Sequence, residues 1–173
     1  MIELKAFRQK YDFDCGPACA RMVLNYYGKT ERYEEIIKGC GCSRKQKDGA
    51  DGDGIASYLT KRGIASEYRM YVDYDDLKNY VHLGYPVIVS WFSPSPGPHW
   101  SVVVACGDNR IVLQDPAIGR KRYMTVEDFM MVWFMVDTNV DKKALNENIE
   151  AYVNIRDMIF PTEPILGGFI DDE

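Results

Sequence analysis

Residues 9–28 read QKYDFDCGPACARMVLNYYG, and this stretch decides the fold. From Cys15 onward the apolar positions Ala18, Met22, Val23, Leu24, Tyr26 and Tyr27 recur at helical spacing, and Gly28 closes the pattern as a C-terminal cap. Asp14 stands where an N-cap belongs, and Pro17 falls in the first turn, where its missing N–H costs nothing. The spacing therefore predicts a helix from Cys15 to Tyr27 that opens on a thiol. A thiol at a helix N-terminus feels the partial positive charge of the helix dipole, which favours thiolate.

Further helices are predicted from Thr30 to about Lys38, from Ile55 to Arg62 ended by Gly63, and from Asp75 to Leu83 ended by Gly84. Between the first two lies Gly39 to Gly54, whose polar part from Arg44 has the composition of a mobile loop. The second half changes period. Pro86 to Phe92, Trp100 to Cys106 and Arg110 to Gln114 are short β-branched runs bounded by Pro, Gly, Asp and Asn, the mark of strands. The Pro-rich segment Ser93 to Pro98 is expected to continue neither of its neighbours. Val126 to Val132 is predicted helical, with Trp133 to Val136 returning to the sheet. Helices first and an antiparallel sheet second make an α+β fold.

With 173 residues, 46% of them apolar, the chain can bury a core of its own. The net charge of −5 is uneven: residues 137–173 hold nine Asp and Glu against three Lys and Arg, leaving residues 1–136 at +1. We therefore expect a near-neutral domain over 1–136 and an acidic tail over 137–173, partly helical or disordered. No basic cluster could neutralise a run of phosphates, so nucleic acid is not an expected partner. No apolar run approaches the length of a membrane span, and the N-terminus has no signal-peptide core, so a cytoplasmic chain with reduced cysteines is expected.

Four positions suit a thiol-based acyl-transfer site. Cys15 is placed as a nucleophile would be. His99, expected at the start of a strand, can present its imidazole at the sheet edge as a base, and Asp115 one strand later can orient the other ring nitrogen. Gln9, six residues before Cys15, can offer a side-chain N–H to an oxyanion. Taken singly, each has a plainer reading: a small buried thiol, a packed histidine, a turn, an ordinary glutamine. Their order is what makes them specific, because Cys15 and His99 are the one Cys/His pair with suitable settings. His82, among Tyr80, Val81 and Leu83 in a helix, reads as structural.

Gln9, the string from Asp14 to Ala18, the helix ending in Tyr27-Gly28, the run from Gly84 to Val89, His99 and Asp115-Pro116 together resemble the papain-like cysteine peptidases that process bacteriocin leader peptides. The resemblance covers about residues 5–136. It implies a papain-like fold, with a helical half carrying the nucleophile and an antiparallel sheet carrying His and Asp. Cys15 would be the nucleophile, His99 the base and acid, Asp115 the orienting residue and Gln9 the oxyanion donor. The family members are usually N-terminal domains of peptide-exporting transporters and cut after a double glycine. Here the chain ends at 173, so a stand-alone peptidase acting on a peptide or protein substrate is expected, without a cofactor. Two alternatives stay open: acyl or peptidyl transfer on the same triad, and a peptidase-like module that binds a peptide without cutting.

No metal is expected. Cys40-Gly41-Cys42 would be half a site with no second Cys/His pair, and after Asp48, Asp51 and Asp53 Thr60 stands where a calcium loop needs its glutamate. Cys19, one turn after Cys15, reads as packing. In the tail, Gly167-Gly168 before Phe169 has the form of a double-glycine site, although Pro161 and Pro164 would interrupt a helix leading to it.

Overall fold

The structure is a computed structural model and describes residues 1–43, 45, 49–93, 97–136 and 153–163. The first predicted helix forms as α1, Cys15–Tyr26, with Ala18, Cys19, Met22, Val23 and Leu24 buried. It is followed by α2, Tyr33–Gly39, and α3, Gly52–Lys61. α3 begins three residues before Ile55 because the Asp51 side chain accepts the Gly54 N–H and caps it. The stretch read as a mobile loop is therefore tied down at both described ends. Cys40, Cys42 and Ala50 are buried, and the Trp100 indole N–H donates to the Ala50 carbonyl at 3.0 Å.

The strands are β1, Ser66–Arg69; β2, Val87–Ser93; β3, Gly97–Cys106; β4, Arg110–Asp115; and β5, Arg120–Thr125. Two further helices, α4 at Tyr74–His82 and α5 at Val126–Val132, interleave with them. β6, Phe134–Val136, pairs with β7, Val153–Ile155, and β8 spans Met158–Pro161. The main sheet has the order β1-β8-β2-β3-β4-β5, with every pairing antiparallel.

Alternate residues of the central strands serve two cores, as a sheet's two-residue period requires. Ile88, Trp100, Val102 and Ile159 face α1, α2 and α3. Val87, Val89, Trp91, Val103, Leu113, Met158 and Phe160 pack with Leu77 and Val81 of α4, Phe129 of α5 and Trp133. Burial on both faces explains why these strands read as unbroken apolar runs rather than alternating ones.

Four expectations need correction. Residues 153–163 are not a helical or disordered tail, since β8 lies inside the main sheet between β1 and β2. The division at 136 therefore does not hold there: an apolar Met158-Ile-Phe triplet outweighs the surrounding acidity. Residues 137–152 and 164–173, with the Gly167-Gly168 site, lie outside the described residues. The segment after Trp133 joins β7 in a separate two-stranded sheet, not the main one. Finally, Gly97 and Pro98 belong to β3, opposite Ser93 and Phe92 of β2, so His99 is the third residue of its strand. β4 does not extend to that level, so Pro98 has a strand on one side only, a position that tolerates a missing N–H. Among the described residues, no helix is long and apolar enough to cross a membrane.

Candidate active site

Asp14 occupies the N-cap position of α1, but its side chain caps no helix N–H. The fully buried carboxylate turns back instead. Its Oδ2 accepts the Lys10 N–H at 3.2 Å and the Tyr33 hydroxyl at 2.8 Å, and its Oδ1 accepts the Tyr11 N–H at 3.0 Å. Two consequences follow. The first-turn N–H groups of α1 keep their positive end uncovered by a carboxylate, beside the Cys15 thiol at the first helical position. The loop 9–13 is also folded tightly against the start of the helix.

At its other end the same loop meets β4. The Gln9 backbone N–H donates to the Pro116 carbonyl at 2.9 Å, which ties it to the turn carrying Asp115. The Gln9 side-chain amide donates from Nε2 to the Tyr11 carbonyl at 2.7 Å, while Oε1 is buried without a hydrogen-bond partner. Gln9 lines a surface hollow of about 330 Å³ with Arg8, Lys10, Tyr11, Asp12 and Ala117.

The sheet supplies the rest. His99 Nε2 lies 2.8 Å from Asp115 Oδ1, with both side chains buried. Trp91, directly opposite on β2, stands edge-on to the imidazole at 5.6 Å between ring centres. Burial pulls the His99 pKa down, but the hydrogen bond to Asp115 and the hydrogen bond and charge of Cys15 outweigh it and raise the value to about 9. Burial likewise pushes the Asp115 carboxyl up. The hydrogen bond and charge of His99, the Arg122 guanidinium and the Ala117 N–H more than offset that, so Asp115 is held below its ordinary value. Asp115 occupies Nε2, so the buried Nδ1, with no hydrogen-bond partner other than the Cys15 thiol, is the ring nitrogen left for Cys15.

The structure thus joins His99 to Asp115 directly, couples the His99 ring to Cys15, and places Gln9 on the loop running from the Asp115 turn to α1. All five cysteines are buried, and none is joined in a disulfide. Burial raises the pKa of Cys19, of Cys40, and of Cys106, the last to about 12, so these three stay protonated. His82 lies elsewhere, its Nε2 2.9 Å from the Cys106 carbonyl. Among the described residues, no three His, Cys, Asp or Glu side chains gather closely enough to hold a metal ion.

Two participants were missed in the sequence. One is the backward turn of the Asp14 carboxylate, whose third donor, Tyr33, lies on another helix. The other is Arg122, whose Nε donates to Asp115 Oδ2 at 2.8 Å. The available signal for it was the turn Pro116 to Gly119, where Gly119 adopts φ +67 and its N–H returns to the Asp115 carbonyl at 2.9 Å. That hairpin sets Arg120 opposite Asp115 and Arg122 opposite Leu113, so Arg122 is the diagonal neighbour of Asp115 on one face.

A profile of the peptidase C39 family matches residues 3–143. The chain belongs to the peptidase C39 family. Its members are cysteine peptidases, and the papain-like α+β architecture is theirs. Over 168 residues the chain is 27% identical to the lacticin-481/lactococcin-DR transport/processing ATP-binding protein LcnDR3 of Lactococcus lactis; the match covers 94% of this chain and 22% of that protein. The C39 domain thus spans about a fifth of the length of the curated relative it matches. Among solved structures, the peptidase domain of the Streptococcus ABC transporter ComA superposes with a TM-score of 0.65 at 22% identity, covering 93% of this chain and 100% of that one. A double-glycine-motif protease from an AMS/PCAT transporter, in complex with its leader peptide, superposes with a TM-score of 0.64 at 20% identity, covering 92% and 93%. These likenesses establish the fold shared by this C39 chain and its relatives.

Proposed function

We propose that this C39 domain hydrolyses a peptide bond through Cys15, His99 and Asp115, with Gln9 as oxyanion donor, and does so as an isolated domain. The observation that carries the reading is the buried 2.8 Å contact of His99 Nε2 with Asp115, in a ring whose charge state is also set by Cys15. The Cys15 thiolate attacks the substrate carbonyl, forming a carbon–sulfur bond and a tetrahedral oxyanion. The Gln9 amide and the uncapped N–H groups of α1 stabilise that charge. Collapse of the intermediate breaks the carbon–nitrogen bond as His99 gives its proton to the leaving amine. His99 then takes a proton from water, which attacks the thioester and releases the acid and the thiol. Asp115 holds the ring oriented throughout.

The substrate class we propose is a leader-type peptide cut after small residues, a double glycine above all. The LcnDR3 name and the PCAT complex with its leader peptide support this. Water is the proposed acceptor, and diversion of the product by an added amine would instead mark an acyl transferase.

The test is cleavage of a synthetic peptide containing Gly-Gly by the wild type, Cys15→Ser and His99→Ala. Each variant should lose about 10³-fold or more in kcat while melting like the wild type. Activity surviving in either folded variant would remove the mechanism, and cutting away from the glycines would remove the substrate class. Alkylation of Cys15 by iodoacetamide at neutral pH no faster than that of a free thiol would favour a module that binds without cutting.

A further inference from the structure

The two oxygens of Asp115 have separate duties. Oδ1 accepts the His99 Nε2–H and the Ala117 N–H, each at 2.8 Å, whereas Oδ2 accepts from Arg122 Nε, also at 2.8 Å. Asp115 is fully buried, but the Arg122 side chain keeps about a third of its surface in solvent. The guanidinium also lies over the Trp91 ring, 5.3 Å from its centre, and that ring is the one packed against the His99 imidazole. Trp91 is itself fixed, its indole N–H donating to Ser101 Oγ at 3.0 Å. Arg122 is therefore held on two sides, by a carboxylate and by an aromatic face.

This proposal rests on the reading that His99 and Asp115 serve Cys15. We propose that Arg122 is a positioning residue: it fixes the outer oxygen of Asp115 and takes up part of the carboxylate's charge, so that the His99 imidazolium remains able to release its proton to the leaving group. The physical argument is one of charge balance. A buried, unshared carboxylate against an imidazolium holds its proton tightly, which makes a poor general acid. A guanidinium on the far oxygen weakens that hold without removing the hydrogen bond that orients the ring. The charged and titratable groups facing this arrangement are Cys15 and Cys19 from α1, Asp115 from β4 and Arg122 from β5.

The chain has only two histidines, so NMR titration of the labelled full chain can follow each of them, with His82 assigned from His82→Gln. In Arg122→Met the His99 midpoint should rise by about half a pH unit or more, a fraction of the usual effect of a neighbouring charge because Arg122 is partly solvated. In the same variant kcat should fall several-fold with KM little changed, since Arg122 contacts Asp115 and Trp91 and no residue assigned to substrate. Arg122→Lys keeps the charge and should return the midpoint to that of the wild type. Should Arg122→Met fold poorly, Arg122→Gln reads the same quantity with a polar side chain.

A His99 midpoint that stays put or falls in both neutral variants would overturn the proposal, as would a Lys variant displaced as far as Met. Failure of the underlying triad would look different: His99→Ala would retain turnover wherever His99 titrates.

Discussion

The strand β8 offers the most demanding test, because a division of the chain by charge, or by the extent of the C39 match at 143, would discard it. Met158, Ile159 and Phe160 are each exposed by 1% or less, and the strand is hydrogen-bonded to β1 on one side and β2 on the other. Truncating a buried Phe to Ala costs about 3–5 kcal/mol, and a buried Met or Ile about 2–5. A domain of this size loses about 2–4 °C of Tm per kcal/mol. Phe160→Ala should therefore melt about 6–20 °C below the wild type. A chain ending at 143 loses all three side chains, both ladders, and the Asp157 carboxyl that accepts from the Ser90 backbone and hydroxyl and from Tyr68. That loss matches the whole stability of an ordinary domain, about 5–15 kcal/mol, so the shortened chain should not fold. Urea titration followed by circular dichroism measures both variants, and a chain ending at 163 keeps every one of these contacts as a control. A cooperative transition in the chain ending at 143, close to that of the full chain, would refute the placement of β8 in the sheet.

Four further outcomes follow from the site. Turnover should fall on an alkaline limb near pH 9, where His99 loses the proton it must donate; a limb unchanged in Asp115→Asn would contradict the assignment. Because the folded His99 pKa is raised from 6.5 to about 9, its pairing stabilises the fold fully below pH 6.5, and that contribution is lost as the pH rises to about 9. Melting curves at pH 6 and 9.5 should show the difference, and His99→Ala should shrink it. Gln9→Ala should lower kcat about 10²–10³-fold with little change in KM or Tm. Asp14→Ala removes the carboxylate that accepts from the Lys10 and Tyr11 N–H groups and leaves the Tyr33 hydroxyl only the backbone carbonyl of the same residue, at 3.3 Å, at up to about 1–3 kcal/mol for a donor left unpaired; its kcat should fall alongside its Tm, whereas Tyr33→Phe, which leaves both backbone bonds to the carboxylate in place, should lose less of both.

The elements legible in the sequence were those built from local pattern. α1 and its opening Cys15 were readable from helical spacing and a closing glycine, and Val126–Val132 matches residue for residue. β2, β3 and β4 showed themselves as β-branched runs because both faces of the sheet are covered. What escaped depended on distant partners. β8 is four residues long, and its pairing with β1 and β2 joins segments some 70 to 95 positions apart, which no local period encodes. β5 reads Arg-Lys-Arg-Tyr-Met-Thr, an edge strand with mostly exposed or half-exposed side chains, so it lacks the apolar signal by which a strand is recognised. Asp14 was read in the right place with the wrong partner: an Asp before a helix is a cap by default, and only the packing of Tyr33 turns its carboxylate back toward Lys10 and Tyr11.

The topology also bears on where substrate comes from. β8 runs antiparallel to β2 with Ile159 opposite Ile88, so Pro161 emerges level with the beginning of β2. His99 sits opposite Trp91, near the other end of that strand. Five strand residues separate those levels, about 17 Å at 3.3 Å per residue, and β2 lies between β8 and β3, the strand that carries the imidazole. The segment from Thr162 to Gly167 spans at most about 20 Å when fully extended. It would have to cover nearly all of that in a straight line while also passing around a sheet packed on both faces. The Thr162 N–H, moreover, is bonded to the Ala65 carbonyl at 2.8 Å, which fixes the departure point at the end of the sheet remote from His99. A cut at Gly167-Gly168 by the Cys15 of the same molecule would therefore require residues 162–167 to be almost fully extended.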